Sequence, residues 1–484
     1  MSNSVLNSQT NLGWDILLNL DTTGRGPLYV RLTAALRNAI RDGRLPPGSA
    51  LPPSRLMASD LGTSRWVVTE AYEQLAAEGY LEARVGSGTR VRSLHQDVVK
   101  TPAGRTHMPP RARIDFGPGL PDLRAFPRRS WLKALRTVIV SAPNEMLAYP
   151  PLGGHPRLRQ VLADYLRRVR GTVTSVDNIT ITSGIVDGIS QLARRLAKEG
   201  VQGIAVENPG WETIRWAVQS SGLKLGSVPV DADGMRTDLL STAEVGAAIV
   251  TPAHQFPTGS VLTPERRLAL LSWAHSVGGL VLEDDYDAEF RYDRRPVGTL
   301  QGIDSTCVAL FGSMSKTLSP ALSLGWMVTP PQWTELLHEK EARIAGPPVI
   351  DQLALAEFIE SGAYDRHLRE LRRRYRSRRD RVVAGLAAQL PDCCVSGVAA
   401  GLHILLTLPG GVTGAAVRAA TAERMRVMDL QVCRSEVIGH QTHTAGRFDH
   451  EGVVLGYGNL ADDEVDEAVD LLAKVVRQLG MAWK

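Results

Sequence analysis

The sequence predicts an α/β protein in which a small helical unit precedes a large domain built on a parallel sheet. Residues 280–282 and 308–311 are short apolar runs that lack helical periodicity and end in polar residues. Such runs are typical of buried parallel strands. Residues 27–91 instead alternate helical apolar spacing with turn residues. The length of 484 residues is enough for about three domains.

Composition fits a globular chain and does not indicate a secreted, metal-binding or membrane-spanning protein. Hydrophobic residues make up 43% of the chain and charged residues 22%, which is enough for sizeable cores. The net charge of +4 is too small to indicate an anionic partner by itself. The four cysteines have no metal-binding spacing, so we expect no metal site and a reducing compartment. No basic leader or long uncharged apolar stretch is present, so we expect a cytoplasmic protein without a membrane segment.

The first unit has the pattern of a winged helix-turn-helix. Residues 27–43 carry apolar side chains at four-residue intervals and stop at a glycine, which predicts an amphipathic helix. Residues 54–61 predict a short helix, and Ser64 is placed to cap a second one. Residues 81–91, LEARVGSGTRV, predict a hairpin with a tight glycine-rich tip. Helix, short helix, second helix and hairpin together make the winged fold.

This unit closely resembles the GntR-type DNA-binding domain, through LPPGSALPPSR and GTSRWVVTEAYEQLAAEGYLEARVGSGTRV. The resemblance implies that a double-stranded DNA operator is the partner. It places the second helix in the major groove, the hairpin tip in the minor groove, and flanking arginines on phosphates. The residues expected to contact DNA are Arg55, Ser64, Arg65, Thr69, Arg84, Gly86, Ser87, Gly88 and Arg90. Trp66 is unusual at the start of such a helix, and either packs inward or touches a thymine methyl group.

Chemistry-bearing residues follow the two predicted strands of the large domain. Asp284 and Tyr286 come after the first strand, and Ser313, Ser315 and Lys316 after the second. Ligands of parallel sheets sit at these strand ends. A lysine, a carboxylate and a phenol suit pyridoxal 5'-phosphate: the lysine forms a Schiff base, the carboxylate holds the pyridine nitrogen's proton, and the phenol bonds the ring's phenolic oxygen. The two serines would contact the phosphate.

At HQFPTG, EDDYDAEFRY and SMSKTLSP the large domain resembles the MocR/GabR family of transcription regulators. The resemblance implies a PLP-dependent transferase (fold type I) large domain and a small C-terminal α/β subdomain. It divides the chain into a DNA-binding domain at 1–92, a linker at 93–113 and an aminotransferase-like domain at 114–484. Related aminotransferase domains form homodimers, which we expect here.

Two further parts of the cofactor site depend on this resemblance. Ser183, Gly184 and Ile185 follow a predicted strand and open a helix, where unpaired N–H groups can cradle a phosphate. Trp211 stands where related proteins stack an aromatic ring on the pyridine, although a core tryptophan is the alternative.

The sequence also departs from the family. Ser323 replaces an arginine that usually holds the cofactor phosphate, and Val186 replaces a glutamine. Cofactor affinity is therefore in doubt, unless another cation such as Arg291 or a residue of the partner subunit compensates. Members that sense an amino acid hold its carboxylate with two arginines. By our placement the first position is Thr213, and the second is Val453 or, if the preceding loop shifts, the nearby Arg447.

Three functions remain open. The first is a transcription regulator that binds pyridoxal 5'-phosphate through Lys316 and senses that cofactor or a small amino compound as effector. The second is an active aminotransferase with an appended DNA-binding module, and the third is an effector-binding domain without cofactor. We favour the regulator, which is not an enzyme, and assign no catalytic residues. An arginine-rich segment at 362–382 is either a second nucleic-acid surface or a solvated or subunit-facing helix, which we favour.

Overall fold

The computed structural model describes residues 26–84, 88–92, 112–148, 152–292, 297–339, 346–397, 399–435 and 450–481. The chain divides into two compact units, Met1–Met108 and Pro109–Lys484. Most of the predicted linker, residues 93–111, lies outside the described residues. No helix in the described part of the chain is long and apolar enough to cross a membrane.

The first unit consists of three helices and a small antiparallel sheet with strand order β1-β3-β2. Its elements are α1 (Leu28–Arg41), β1 (Ala50–Leu51), α2 (Ser54–Asp60), α3 (Arg65–Ala77), β2 (Leu81–Arg84) and β3 (Gly88–Val91). The apolar spacing of α1 predicted its buried face correctly, since Leu32 and Leu36 are buried against α3. Ser64 caps α3, because its side chain accepts a hydrogen bond from the Val67 N–H.

The second unit is built on an eight-stranded mixed sheet with strand order β5-β12-β11-β10-β9-β6-β7-β8. Its strands are β5 (Ile179–Thr182), β6 (Gly203–Asn208), β7 (Lys224–Asp231), β8 (Gly234–Met235), β9 (Ala247–Val250), β10 (Leu280–Asp284), β11 (Val308–Ser313) and β12 (Gly325–Val328). Strands β10 and β11 are fully buried and parallel, with Asp284 beside Phe311. The prediction of buried parallel strands is confirmed here, whereas β12 and β5 pair antiparallel at the sheet edge.

Helices cover this sheet and connect it to the C-terminal part. They are α4 (Arg128–Ser141), α5 (Pro156–Arg170), α6 (Ile185–Lys198), α7 (Glu212–Ser220), α8 (Pro264–Val277), α9 (Leu300–Ile303), α10 (Pro331–Leu337), α11 (Val349–Glu360) and α12 (Ala363–Gln389). Apolar clusters form on both faces of the sheet. Because the strands are buried on both faces, the candidate site can open only at their ends.

The C-terminal part is a four-stranded antiparallel sheet, ordered β13-β14-β17-β16, with two helices. Its elements are β13 (Cys394–Ser396), β14 (His403–Thr407), α13 (Gly414–Thr421), β16 (Met428–Asp429), β17 (Gly452–Gly456) and α14 (Val465–Met481). A separate parallel pair joins β4 (Ile114–Asp115) to β15 (Met425–Arg426). The segment that opens the second unit is thereby tied to its C-terminal part.

The arginine-rich segment lies in α12, whose apolar stripe is buried as predicted. Its interpretation as a solvated helix fails at one position. Arg378 is buried, with its guanidinium 2.6 Å from Asp122 Oδ2 and 2.5 Å from Asp462 Oδ1. This arginine anchors the helix to two distant loops rather than facing solvent or another molecule.

Candidate cofactor-binding site

A cavity of about 490 Å³ opens at the carboxyl ends of β10 and β11. All nine residues predicted to bind the cofactor line it: Ser183, Gly184, Ile185, Trp211, Asp284, Tyr286, Ser313, Ser315 and Lys316. They come from four different loops and strand ends, so the fold brings together residues that are far apart in the sequence.

Lys316 lies three residues beyond the end of β11, with its side chain in the cavity. Its Nζ atom donates to the carbonyl oxygen of Gly119 at 2.6 Å and lies 6.0 Å from the centre of the Trp211 ring. Burial lowers the pKa of the Lys316 ammonium, although Asp287 and Asp284 oppose this. A lowered pKa leaves more of the neutral, nucleophilic amine at neutral pH.

Asp284 is the last residue of β10 and is 5% exposed. Its Oδ1 atom has no hydrogen-bond partner in the part of the chain that the structure describes. Burial raises the pKa of Asp284 well above its usual value, and the neighbouring carboxylates of Asp285 and Asp287 add to this. A buried oxygen without a partner is costly, so a ligand that brings an N–H group would fit here.

Tyr286 is held by two residues that sequence reasoning missed, His254 and Asp287. The phenol donates to the His254 carbonyl oxygen at 2.9 Å and lies 3.2 Å from His254 Nδ1. That nitrogen is in turn 2.9 Å from Asp287 Oδ2. Burial raises the pKa of the Tyr286 phenol well above its usual value, so the phenol keeps its proton. Both missed residues lie in the motifs HQFPTG and EDDYDAEFRY, which could have indicated them.

The expected phosphate end contains Ser313, Ser315 and the start of α6. The Ser313 hydroxyl donates to the Ser315 hydroxyl at 2.7 Å and accepts from the Ser315 N–H at 3.0 Å. At the other side, α6 begins at Ile185 after Gly184, whose φ of 127° favours glycine. The first N–H groups of a helix have no partner within it, which leaves donors for an anion.

One detail differs from the expectation for this cradle. The Ser183 N–H is not unpaired, because it donates to Asp187 Oδ2 at 2.8 Å. The carboxylate of Asp187 also lines the cavity beside Val186. Ser323 is exposed and adopts a left-handed conformation, with φ of 47°. Arg291 is not among the residues that line the cavity, and its backbone forms an isolated antiparallel β-bridge with Ala400.

Trp211 precedes α7 and is 39% exposed, so it is a cavity residue rather than a core tryptophan. Arg215, one turn into α7, is buried and lines the cavity. Its guanidinium donates to four carbonyl oxygens, those of Gly210, Val432, Cys433 and Arg434, at 2.8–3.4 Å. Arg215 therefore fixes the loop after β16 and has little capacity left for a ligand.

His403 begins β14 and is another residue that the sequence did not indicate. It is 3% exposed, its ring centre lies 4.8 Å from that of His254, and it lines the cavity. Its Nε2 atom has no partner among the described residues. Burial lowers the pKa of His403 well below its usual value, so the ring is neutral at physiological pH.

The residues predicted to contact DNA lie in the first unit. Arg55, Ser64, Arg65 and Arg90 are exposed, and Thr69 is half-buried. Arg65 Nε donates to Ser54 Oγ at 3.3 Å, and Arg90 Nη1 donates to the Gly48 carbonyl at 3.0 Å. Gly88 begins β3, but Gly86, Ser87 and the Arg84 side chain lie outside the described residues. Trp66 is 61% exposed, against the edge of Tyr29, so it does not pack inward.

The two units define a class of protein: a GntR-type DNA-binding domain followed by an aminotransferase fold. Residues 28–91 match the family model of bacterial regulatory proteins of the gntR family. Residues 114–423 match the model of class I and II aminotransferases, a family that depends on pyridoxal phosphate. Among solved structures, an archaeal alanine:glyoxylate aminotransferase is 25% identical with a TM-score of 0.67, covering 75% of this chain and 91% of that one.

Curated relatives match most of the chain. The probable rhizopine catabolism regulatory protein MocR of Rhizobium meliloti is 36% identical, over 78% of this chain and 80% of that protein. The pyridoxine biosynthesis transcriptional regulator PdxR of Corynebacterium glutamicum is 32% identical, over 91% of this chain and 96% of that protein. The chain belongs to the MocR-type family of GntR transcription regulators.

Proposed function

We propose that this regulator binds pyridoxal 5'-phosphate covalently through Lys316 and senses the cofactor itself or a small-molecule effector beside it. The observation that carries the proposal is the convergence of Lys316, Asp284, Tyr286 and Trp211 on one cavity. The buried Oδ1 atom of Asp284, which lacks a partner among the described residues, suits the N–H of a pyridine ring.

Each residue would have one task toward the cofactor. The cofactor supplies an aldehyde and an electron-withdrawing ring. The Lys316 nitrogen would bond to the aldehyde carbon, whose oxygen leaves as water. Asp284 would accept the ring N–H, and the indole of Trp211 would cover one ring face. Tyr286 would turn its single O–H from the His254 carbonyl to the phenolic oxygen of the cofactor. Ser313, Ser315 and the N–H groups of Gly184 and Ile185 would hold the phosphate.

The winged first unit supports operator binding, with Arg65 at the start of α3 reading bases. A ligand of the second unit can change DNA affinity only by its difference in affinity for two arrangements of the protein. We propose that the protein acts as a homodimer, which would place two winged domains on repeated half-sites. The relative named for pyridoxine biosynthesis favours a form of vitamin B6 among the effectors.

The test is covalent labelling of the full-length chain. Protein incubated with pyridoxal phosphate should absorb at the violet end of the visible range. After reduction with borohydride, its intact mass should increase by one cofactor adduct. Lys316→Ala should gain none, whereas Lys133→Ala, an exposed lysine on α4, should label like the wild type. Absence of an adduct in the wild type, or its persistence in Lys316→Ala, would contradict the proposal.

A second measurement separates the regulator from an active aminotransferase. The labelled protein is mixed with a panel of amino acids and keto acids. A stoichiometric change in absorbance, accompanied by a change in affinity for a DNA that the wild-type protein selects, supports sensing. Repeated turnover of substrate would instead identify an enzyme.

A further inference from the structure

Three side chains of types that bind metal ions meet at the edge of the central sheet opposite the cofactor cavity. His275 lies in the last turn of α8, Asp304 follows α9, and Cys307 precedes β11. Their ligand atoms all lie within 4.8 Å of one another. The cavity opens at the other end of β11, whose six residues separate the two ends by roughly 20 Å. The cluster of His275, Asp304 and Cys307 is therefore separate from the candidate cofactor site.

The contacts within this cluster converge on one nitrogen of the His275 ring. Asp304 Oδ2 lies 2.6 Å from His275 Nε2, and Cys307 Sγ lies 3.8 Å from the same nitrogen. A ring nitrogen carries either one proton or one lone pair, so it makes one good hydrogen bond at most. In a nucleophilic triad the thiol and the carboxylate instead contact opposite nitrogens of the imidazole. Convergence on one nitrogen is the geometry of ligands around an ion.

The distances between the ligand atoms are close to those of a tetrahedral zinc site. Zinc bonds of about 2.0–2.2 Å to nitrogen or oxygen and about 2.3 Å to sulfur place neighbouring ligand atoms roughly 3.3–3.6 Å apart. The distance of 3.8 Å between sulfur and nitrogen nearly fits, and that of 2.6 Å between oxygen and nitrogen has to increase. The His275 side chain is 56% exposed, so its ring can turn outward to admit the ion.

The other two ligands are held in place by their surroundings. Asp304 Oδ1 accepts from the Thr306 N–H at 2.9 Å and from the Thr306 hydroxyl at 2.6 Å, which leaves Oδ2 for the cluster. Cys307 is 6% exposed, and its carbonyl oxygen accepts from the Val281 N–H at 2.9 Å. Outer partners of this kind orient the ligands of metal sites. Two of the three ligands are therefore positioned in advance, and the exposed histidine completes the set.

We infer that His275, Asp304 and Cys307 bind a zinc ion, whose fourth position is open to water or to a ligand from another molecule. A thiolate and an imidazole favour zinc over magnesium and calcium, which prefer oxygen ligands. Binding would release the thiol proton to solvent. The ion would tie the end of α8 to the loop that leads into β11. This inference departs from the expectation of no metal site, because that expectation depended on the spacing of cysteines alone.

The test is calorimetry with zinc chloride on the full-length chain, without an affinity tag and in a thiol-free reductant. The wild type should bind one zinc ion per chain that the ligand variants do not bind. Cys307→Ala and His275→Gln should each weaken this binding by about 100-fold or more, since even loss of an outer partner costs about 10- to 100-fold. Cys394→Ser and His450→Gln are the matched controls, because both residues are exposed and lie outside the cluster. Both controls should bind zinc like the wild type.

Two further measurements identify the ligands. Cobalt bound by a thiolate absorbs in the near ultraviolet, so this band should appear in the wild type and in Cys394→Ser but not in Cys307→Ala. Zinc should also raise the thermal midpoint of the wild type, because a ligand of the folded state stabilises it. It should not raise the midpoint of His275→Gln. That substitution is at an exposed position, so it keeps the test valid if the buried Cys307→Ala variant fails to fold.

The alternative is that His275 and Asp304 form only a surface ion pair at the end of α8. His275→Gln would then lower the thermal midpoint without zinc, and the wild type, the ligand variants and the controls would all bind zinc equally. That result, or a wild type without the cobalt–thiolate band, would overturn the inference. None of these measurements requires the cofactor, so their outcome is independent of the proposed function.

Discussion

The Nζ atom of Lys316 lies 2.6 Å from the carbonyl oxygen of Gly119, across 197 positions of the sequence. Gly119 has a φ of +98°, and a Cβ atom there would lie 3.3 Å from Nζ. The lysine is therefore fixed by the backbone of the segment that opens the second unit. If Nζ bonds to the aldehyde carbon of the cofactor as proposed, it would lose donors, and the contact with Gly119 would weaken.

The first prediction concerns Gly119→Ala. The substitution forces a non-glycine residue into a conformation that costs about 1–2 kcal/mol and crowds Nζ. We expect slower and weaker labelling by pyridoxal phosphate, measured by intact mass against time. Gly171→Ala is the matched control: Gly171 has φ of +67° at the end of α5, with nothing within 4 Å of its Cβ position. Equal labelling of both variants would show that Gly119 does not affect the lysine.

The second prediction concerns Asp284→Asn, which should weaken cofactor binding by about 10- to 100-fold, because a charge-assisted hydrogen bond becomes a neutral one. The same variant should stabilise the protein without cofactor. The pKa of Asp284 is raised in the folded state, so its carboxyl group lowers stability progressively as the pH rises above 3.8. Asparagine removes this penalty.

Thermal unfolding of the cofactor-free protein tests the sign of this effect. Asp284→Asn should have a higher midpoint than the wild type at pH 8, and the difference should shrink as the pH falls toward 4. Asp233→Asn, at an exposed position after β7, should change neither the midpoint nor the cofactor affinity. A midpoint for Asp284→Asn at or below that of the wild type at pH 8 would contradict the assigned burial cost.

Local patterns predicted the elements of the first unit and the strands that lead to the candidate site. The four-residue spacing of Leu32 and Leu36 gave the buried face of α1, and Ser64 gave the start of α3. The two apolar runs predicted β10 and β11, because strands that are buried on both faces consist largely of consecutive apolar residues. No sequence pattern indicated that β12 pairs antiparallel, since the direction of a strand depends on how the chain returns to the sheet.

The candidate site was predicted where the motifs are contiguous and missed where contacts are long-range. Lys316, Asp284 and Tyr286 follow their strands directly, so strand ends indicated them. His403 reaches the same cavity from the C-terminal sheet and Arg426 from the β4–β15 pair, and no local spacing marks them. The Ser183 N–H donates to the Asp187 side chain, four residues further along. A search for turns of small residues does not detect such a partner.

The third prediction concerns the buried arginine of α12. Arg378→Ala should lower the free energy of unfolding of the second unit by about 1–3 kcal/mol. Asp122 would lose its buried partner and keep only the more exposed Arg124 and Arg374, and the Gly458 carbonyl would lose its donor. Urea denaturation followed by tryptophan fluorescence measures this. Arg376→Ala is the matched control on the same helix, where the side chain is 64% exposed; the expected change is below about 0.5 kcal/mol. Similar effects of both substitutions would contradict a structural role specific to Arg378.

The last prediction separates the two halves of the molecule. Arg65 is exposed at the start of α3, where a winged helix-turn-helix reads base edges in the major groove. Arg65→Ala should weaken binding to a selected operator by about 5- to 150-fold, the range for loss of one base contact, and should leave cofactor labelling unchanged. Gel-shift titrations at fixed salt give the affinity, and intact mass gives the labelling.

Arg44→Ala is the control for charge in this experiment. Arg44 lies in the turn after α1 and pairs with Asp42 at 3.0 Å, so its removal changes the net charge equally without touching α3. It should weaken specific and nonspecific DNA binding by the same small factor, because it contributes only long-range attraction. If Arg65→Ala also lowered both affinities equally, Arg65 would be a phosphate contact, and base recognition would have to come from other residues of α3.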